Sequence, residues 1–94
     1  MKLVWTKLAL KDLRSAYDYI AEASPSNASK VIERVEIALQ NLKKHPEIGR
    51  RGRVAGTREL ALLTTPFVIP YRVTQGTIEI LAFMHGARKW PEEF

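Results

Sequence analysis

The segment SPSNASKVIERVEIALQNLKKHP, residues 24–46, carries the strongest secondary-structure pattern in this chain. Ser24 and Pro25 are typical of a helix start, because Ser caps free backbone N–H groups and Pro fits the first turn. Apolar residues then recur at helical spacing and predict one buried face: Ala28, Val31, Ile32, Val35, Ala38, Leu39 and Leu42. Pro46 predicts the helix end, since the residue before a proline is pushed out of the helical region.

The residues before this segment predict a strand and a further helix. Residues 2–5 have strand character, and Thr6 offers an N-cap oxygen to a helix that begins near Lys7. An apolar stripe at helical spacing supports this helix: Ala9, Leu13, Ala16, Tyr17 and Ile20. Because the link between the two helices is so short, we expect them to pack as an antiparallel hairpin.

The residues after the helices predict a loop followed by three strands. Residues 46–56 are glycine-rich and show no periodicity, so we expect a loop there. Three segments rich in strand-forming residues follow, at residues 57–63, 67–74 and 77–84. Gln75-Gly76 predicts a tight hairpin between the last two segments.

Pro70 lies inside the middle strand segment and predicts a special position for it. Proline has no N–H to donate to a ladder, so we expect an edge strand or a bulge. The element order is β-α-α-β-β-β, which predicts an α+β fold. We expect an antiparallel-rich sheet with the helical hairpin packed on one face and the other face partly open. A chain of 94 residues forms one modest core, so residues 1–94 are expected to be a single domain.

The composition excludes several classes of protein. No apolar run approaches the length that spans a bilayer, and no signal peptide is recognisable, so we expect a cytoplasmic protein without a membrane partner. The chain has no cysteine and only two histidines, His45 and His85, without nearby acidic ligands. We therefore expect no metal site. No glycine-rich phosphate loop or nucleophile elbow is present, so no small-molecule cofactor is expected.

The formal net charge of +5 lies in one stretch of the chain. Residues 43–58 contain six Lys or Arg against one Glu, and the remaining residues are balanced. Guanidinium groups pair bidentately with phosphate oxygens, which makes an anionic partner the functional interpretation. The alternative is a solvated basic loop. The candidate binding residues are Arg50, Arg51, Arg53 and Arg58, together with Arg72 on the middle strand.

A second constellation, His85-Gly86-Ala87-Arg88-Lys89-Trp90, follows the last strand. It offers a near-neutral proton carrier, cations for a phosphate and an aromatic stacking surface. The structural alternative is that His85 caps a strand end, Arg88 pairs with an acidic residue of the tail, and Trp90 covers the core's edge. We take His85 and Arg88 as candidate catalytic residues, and Lys89 and Trp90 as candidate target contacts.

The chain resembles the RelE/ParE superfamily of bacterial type II toxins along nearly its whole length. The motifs that carry the resemblance are Trp5-Thr6 with Ala9 and Asp12-Leu13, Pro46 with Gly49-Arg50 and Gly52-Arg53, Gly56-Thr57-Arg58-Glu59-Leu60, Pro70-Tyr71-Arg72-Val73, and His85 to Pro91. The resemblance implies a toxin that a cognate antitoxin neutralises. RelE-like members cut mRNA on the ribosome, whereas ParE-like members inhibit DNA gyrase.

The resemblance implies different roles for the site residues under the two activities. In an RNA-cleaving toxin without a metal, His85 would carry the proton and Arg88 would hold the phosphate. The chain departs from the RelE pattern in its sheet, with Glu59 and Ala61 where that pattern has basic residues and Val68 where it has an arginine. The first hypothesis is a toxin that inhibits growth by ribosome-dependent mRNA cleavage. The alternative is gyrase inhibition without catalysis, and a further alternative is a non-toxic nucleic-acid-binding module.

Overall fold

The computed structural model describes all 94 residues and confirms the α+β class. Two helices and six strands follow one another along the chain. Their bounds are β1 Lys2–Trp5, α1 Lys7–Ala23, α2 Pro25–Lys44, β2 Arg50–Arg51, β3 Arg58–Ala61, β4 Phe67–Thr74, β5 Thr77–Ile80 and β6 Met84–His85. The predicted first strand, both helices and the three later strand segments are therefore present.

Both predicted helix starts are confirmed. Thr6 caps α1, and its Oγ1 accepts a hydrogen bond from Ala9 N at 3.1 Å. Ser24 caps α2 in the same way, with Asn27 N donating to its Oγ at 3.3 Å. Neither helix combines the length and apolar character that crossing a membrane requires.

The sheet is mixed and mainly antiparallel, with the strand order β1-β5-β4-β3-β2 and β6 paired with the start of β4. Only β1 and β5 run parallel. The helices cover one face and enclose a core of eleven buried residues: Ala9, Val31, Val35, Leu39, Leu42, Leu62, Ile69, Tyr71, Ile78, Ile80 and Phe83. The expected antiparallel-rich sheet with a helical hairpin on one face is confirmed.

Two predictions about segment boundaries were wrong. The expected loop contains the short strand β2, because Arg50 and Arg51 pair with the first residues of β3. The expected strand of residues 77–84 is interrupted after Ile80. Residues 81–83 leave the ladder because Phe83 turns into the core, where it stacks on Phe67 and its N–H donates to Asp12 Oδ2. The strand then resumes as β6.

Pro70 lies in the central strand β4, so of the two expected positions the edge strand was wrong and the bulge is confirmed. Between the Tyr71–Ile80 and Val68–Met84 pairs, residues 69–70 lie opposite the three residues 81–83. The Pro70 carbonyl accepts from Leu81 N at 2.9 Å, which places its nitrogen on the β5 side of the strand. Leu81 lies just past the end of β5, where the neighbouring ladder stops before β6 begins. Pro70 therefore lies where β4 has no regular ladder partner on that side, between its pairing with β5 and its pairing with β6. A proline without an N–H can occupy this position even though β4 is a central strand.

The pairing register divides the strand residues between two faces, since residues directly opposite in an antiparallel pair share a face. Arg58 lies opposite Tyr71, and Leu60 lies opposite Ile69, so these residues share the helix-covered face. Glu59 lies opposite Pro70 and therefore points to the other face, which we call the tail face. Glu59 and Pro70 are nonetheless buried, because the chain after β6 crosses this face.

Candidate target-binding surface

Glu59 is the centre of the tail face. Its side chain is only 1% exposed, and its Oε1 accepts hydrogen bonds from Arg50 Nη2 at 2.9 Å and Arg50 Nε at 3.3 Å. Its Oε2 accepts from the backbone N–H of Arg53 at 2.7 Å and lies 3.5 Å from Arg53 Nε. Two arginines of the basic stretch are therefore already paired with a carboxylate of the same chain.

The pKa of Glu59 reflects a competition between burial and these partners. Burial is the largest single influence and raises the pKa, because it penalises the charged form. The backbone hydrogen bond from Arg53, the side-chain bond from Arg50 and the charges of both arginines act in the other direction. Together they outweigh burial and hold the pKa below its ordinary value of 4.5. Glu59 is therefore ionised at neutral pH.

Glu59, Arg50 and Arg53 form a group that we call the Glu59 cluster. Within it, Arg53 also contacts the C-terminal segment, the residues after β6. Its guanidinium carbon lies 3.9 Å from the centre of the Trp90 ring, which is a cation–π contact. Its Nη1 donates to the carbonyl of Gly86 at 3.0 Å. The Trp90 indole Nε1 is buried without a hydrogen-bond partner. These contacts hold the residues after β6 beside the Glu59 side chain.

His85 and Arg88 are the first and last residues of a tight turn at the start of the C-terminal segment. Arg88 N donates to His85 O at 3.0 Å, and His85 Nδ1 accepts from Ala87 N at 3.2 Å. Because Nδ1 acts as the acceptor, the neutral ring carries its hydrogen on Nε2. His85 and Arg88 are both exposed, and Arg88 forms no ion pair, so the expected pairing with a tail carboxylate is absent.

Arg51 and Arg58 form a separate pair on the helix-covered side of the sheet. They lie directly opposite each other across β2 and β3, and both are exposed. Arg58 Nη1 donates to the carbonyls of Gly49 at 2.9 Å and Glu47 at 3.3 Å. Neither guanidinium pairs with a carboxylate. These two positive charges are therefore not neutralised within the chain.

Tyr71 fixes the loop that leads into this pair. Its hydroxyl donates to Pro46 O at 2.7 Å and accepts from Gly49 N at 2.9 Å. Burial raises the pKa of Tyr71, so the hydroxyl stays protonated and keeps both bonds. A Cβ at Gly49 would lie 2.5 Å from this oxygen, which explains why a glycine is required at that position.

Arg72 has its own partner in the next strand. Its Nη2 and Nε lie 3.1 and 3.2 Å from Glu79 Oε1, and both side chains are about one third exposed. Lys89 is exposed and has no ion-pair partner. No group of three or more potential metal ligands comes together in the chain.

Known proteins similar to this chain agree on one family. Residues 3–90 match the family described as the ParE toxin of the type II toxin-antitoxin system, parDE. The chain belongs to the ParE toxin family. It is 38% identical to "Putative toxin Y4kP" of Sinorhizobium fredii, over 97% of this chain and 94% of that protein. It is 39% identical to toxin RelE2 of Caulobacter vibrioides, over 93% of this chain and 97% of the relative.

A solved structure similar to this chain also belongs to a ParE-type system. The chromosomal ParDE toxin–antitoxin system of P. aeruginosa contains a chain that superposes with a TM-score of 0.72 and 32% identity. The similarity covers 90% of this chain and 95% of that one. Membership of the ParE toxin family confirms the expected type II toxin and implies a cognate antitoxin as a partner.

In this ParE-family toxin the predicted site residues do not form one cluster. Arg50, Arg53 and Trp90 meet around Glu59 on the tail face. Arg51 and Arg58 lie on the other side of the same hairpin, and Arg72 pairs with Glu79. Sequence reasoning missed Glu59 as the residue that organises the tail face. The available signal was a lone acidic residue one position after the basic stretch, in a segment with strand alternation.

Proposed function

We propose that this ParE-family toxin acts in the cytoplasm by binding and inhibiting DNA gyrase, without cleaving a substrate. The observation that carries the proposal is the Glu59 cluster. Cleavage of RNA without a metal needs free cations to stabilise the crowded phosphate in the transition state. Arg50 and Arg53 instead share a buried carboxylate, which offsets the charge of these two arginines before any target arrives. Arg88 is then the one unpaired arginine in the turn that carries His85.

The state of His85 supports the same proposal. A general base must present an unprotonated nitrogen within hydrogen-bond reach of the proton it takes. The unprotonated nitrogen of His85 accepts from the backbone N–H of Ala87 within its own turn. No carboxylate or hydroxyl of the chain bonds to the ring.

The second candidate function is ribosome-dependent mRNA cleavage, favoured by one specific observation. His85 and Arg88 are both exposed and belong to a single turn, so an RNA strand could meet both side chains at once. A target that displaces the Ala87 hydrogen bond would free Nδ1 for proton transfer. Under this candidate, His85 carries the proton and Arg88 holds the phosphate, as the resemblance implies.

One paired experiment separates the two functions. The wild-type chain and its His85→Ala variant are induced without the antitoxin, and plasmid supercoiling and mRNA ends are measured in the same cultures. Gyrase inhibition predicts relaxed plasmid, unchanged mRNA ends and growth arrest by both proteins. Loss of a general acid–base lowers a rate by about 10²–10⁴-fold, so a cleaving toxin predicts new mRNA ends that disappear in the variant.

A purified assay completes the test. Gyrase is incubated with increasing amounts of the full-length chain made by cell-free synthesis, and the supercoiling of relaxed plasmid is followed. We expect inhibition that saturates near one chain per gyrase subunit and that the purified antitoxin reverses. Normal supercoiling with excess toxin, together with His85-dependent mRNA ends in cells, would replace gyrase inhibition with mRNA cleavage.

A further inference from the structure

The β2–β3 hairpin contains a like-charged pair that nothing in the chain neutralises. Arg51 and Arg58 lie directly opposite each other, and like charges in this position repel. Arg58 is held by backbone carbonyls, which fix its guanidinium without removing its charge. Only part of its donor set is used, because both of these bonds come from Nη1. Arg51 makes no side-chain hydrogen bond to the rest of the chain.

The surroundings of this pair are positive and polar. The loop of residues 51–58 lines an open cavity of about 560 Å³, and only two of its eight residues are hydrophobic. Lys43 and Lys44, both exposed, end α2 at the loop that carries the carbonyl partners of Arg58. Glu47 is the one acidic residue in this part of the chain. The cavity that Arg51 and Arg58 line therefore contains no carboxylate.

We propose that Arg51 and Arg58 together form a binding site for one phosphate of a nucleic-acid backbone. An anion between the two guanidinium groups removes their repulsion and accepts hydrogen bonds from both. The inference goes beyond the proposed function, and it holds for either target of the toxin.

An acidic polypeptide is the competing partner, and the lining of the cavity argues against it. Protein interfaces depend on a few apolar anchors that fill pockets, whereas protein–nucleic acid interfaces are polar and strongly positive. The exposed Ile37, Ile48 and Leu63 line a separate groove between α2 and the sheet. The cavity of residues 51–58 offers charge without such an anchor.

The test measures binding of the full-length chain to a fluorescein-labelled DNA duplex by fluorescence anisotropy, over a series of salt concentrations. The variants are Arg51→Gln, Arg58→Gln and the double variant. Each neutralised phosphate contributes about 0.9 to the slope of log affinity against log salt. We expect the double variant to lose about 0.9 from this slope and to bind roughly tenfold more weakly at about 50 mM salt.

The pairing of the two arginines makes a sharper prediction. Because both side chains hold the same phosphate, the losses in log affinity should not add, and each single variant should lose most of what the double variant loses. The matched control is Arg14→Gln, which removes the same charge from the exposed Arg14–Asp18 pair on α1. The control should bind DNA within twofold of the wild type.

Three further measurements complete the test: circular dichroism, binding of a single-stranded RNA probe and binding of polyglutamate. Arg58 also holds a loop, so circular dichroism must show an unchanged fold, and Arg51→Gln alone carries the test if Arg58→Gln unfolds. A single-stranded RNA probe identifies whether the phosphate belongs to DNA or RNA, and an equal loss with both indicates recognition of the backbone alone. Equal binding by the wild type and Arg51→Gln overturns the proposal, as does tighter binding of polyglutamate that both variants abolish.

Discussion

Two cross-strand pairs lie one residue apart on the β2–β3 hairpin, and their electrostatics are opposite. Arg50 faces Glu59 and forms an ion pair of 2.9 Å, whereas Arg51 faces Arg58 and neither charge is neutralised. Side chains alternate between faces along a strand, so adjacent arginines of one dipeptide enter different environments. A count of charges along the chain therefore does not reveal which charges are available to a partner.

The largest expected effect comes from breaking the ion pair between Arg50 and Glu59. In Glu59→Gln the charge-assisted bonds to Arg50 and Arg53 are lost, and an amide group is placed among donors. We expect the free energy of unfolding, measured by urea denaturation, to fall by about 2 kcal/mol. Glu33→Gln on the exposed face of α2 is the matched control and should change it by less than about 0.5 kcal/mol. Equal effects of the two substitutions would contradict the central role of Glu59.

The same pair predicts how stability depends on pH. The pKa of Glu59 is lower in the folded chain than its ordinary value of 4.5, so its contribution is complete above that value. The contribution is lost as the pH falls below 4.5 through the folded pKa, because the unfolded chain then binds the proton more readily. The difference in unfolding free energy between wild type and Glu59→Gln should shrink over this range. A constant difference from pH 7 to pH 3 would show that ionisation is not involved.

A smaller effect is expected at the contact between Arg53, which bonds Glu59, and Trp90 in the C-terminal segment. Trp90→Ala removes the ring beneath the Arg53 guanidinium, and a cation–π contact contributes about 1 kcal/mol. Hydrogen exchange should become about fivefold faster at the amides of Gly86 and Arg88, while β4 and β5 amides stay unchanged. Tyr19→Ala, which removes an exposed ring from α1, is the control. Uniform acceleration across the sheet would mean that Trp90 supports the whole fold.

The smallest expected effect has a sign that tests the comparison directly. Arg51→Glu places opposite charges across the strands and should raise the free energy of unfolding by roughly 0.5 kcal/mol. Arg50→Glu, one residue earlier on the same strand, places a like charge opposite the buried Glu59 and should lower it by at least as much as Glu59→Gln. Urea denaturation of the two variants checks both signs. Shifts in the same direction would show that the two pairs do not differ as described.

The helices and strand segments of the fold were predictable because local signals determine them. Thr6 and Ser24 cap their helices as their sequence context predicts, and Gln75-Gly76 forms the expected hairpin with positive φ at both residues. An edge strand or a bulge was predictable at Pro70, but the choice between them depends on where the neighbouring strand is interrupted. That interruption is created by Phe83 turning into the core, a contact between distant parts of the chain.

The sequence predicts which residues belong to the candidate site, but it does not predict which of them contact one another. The basic stretch, defined as residues 43–58, stops one position before Glu59, the residue that neutralises two of its arginines. Burial of a carboxylate on the tail face depends on the chain after β6 folding back, which periodicity does not reveal. The opposition of Arg51 and Arg58 depends on the register of a two-residue strand inside a predicted loop.

The parallel pairing of β1 with β5 affects the order in which the fold can close. Lys2 lies beside Thr77 and Trp5 beside Ile80, and β1 has no other neighbour in the sheet. Strand β1 therefore has no partner in the sheet until residue 80 has been made. During that interval β1 is an unpaired strand, which is open to association with other chains. Such long-range pairing also slows folding, so the complete sheet forms only after β5 and β6 have been made.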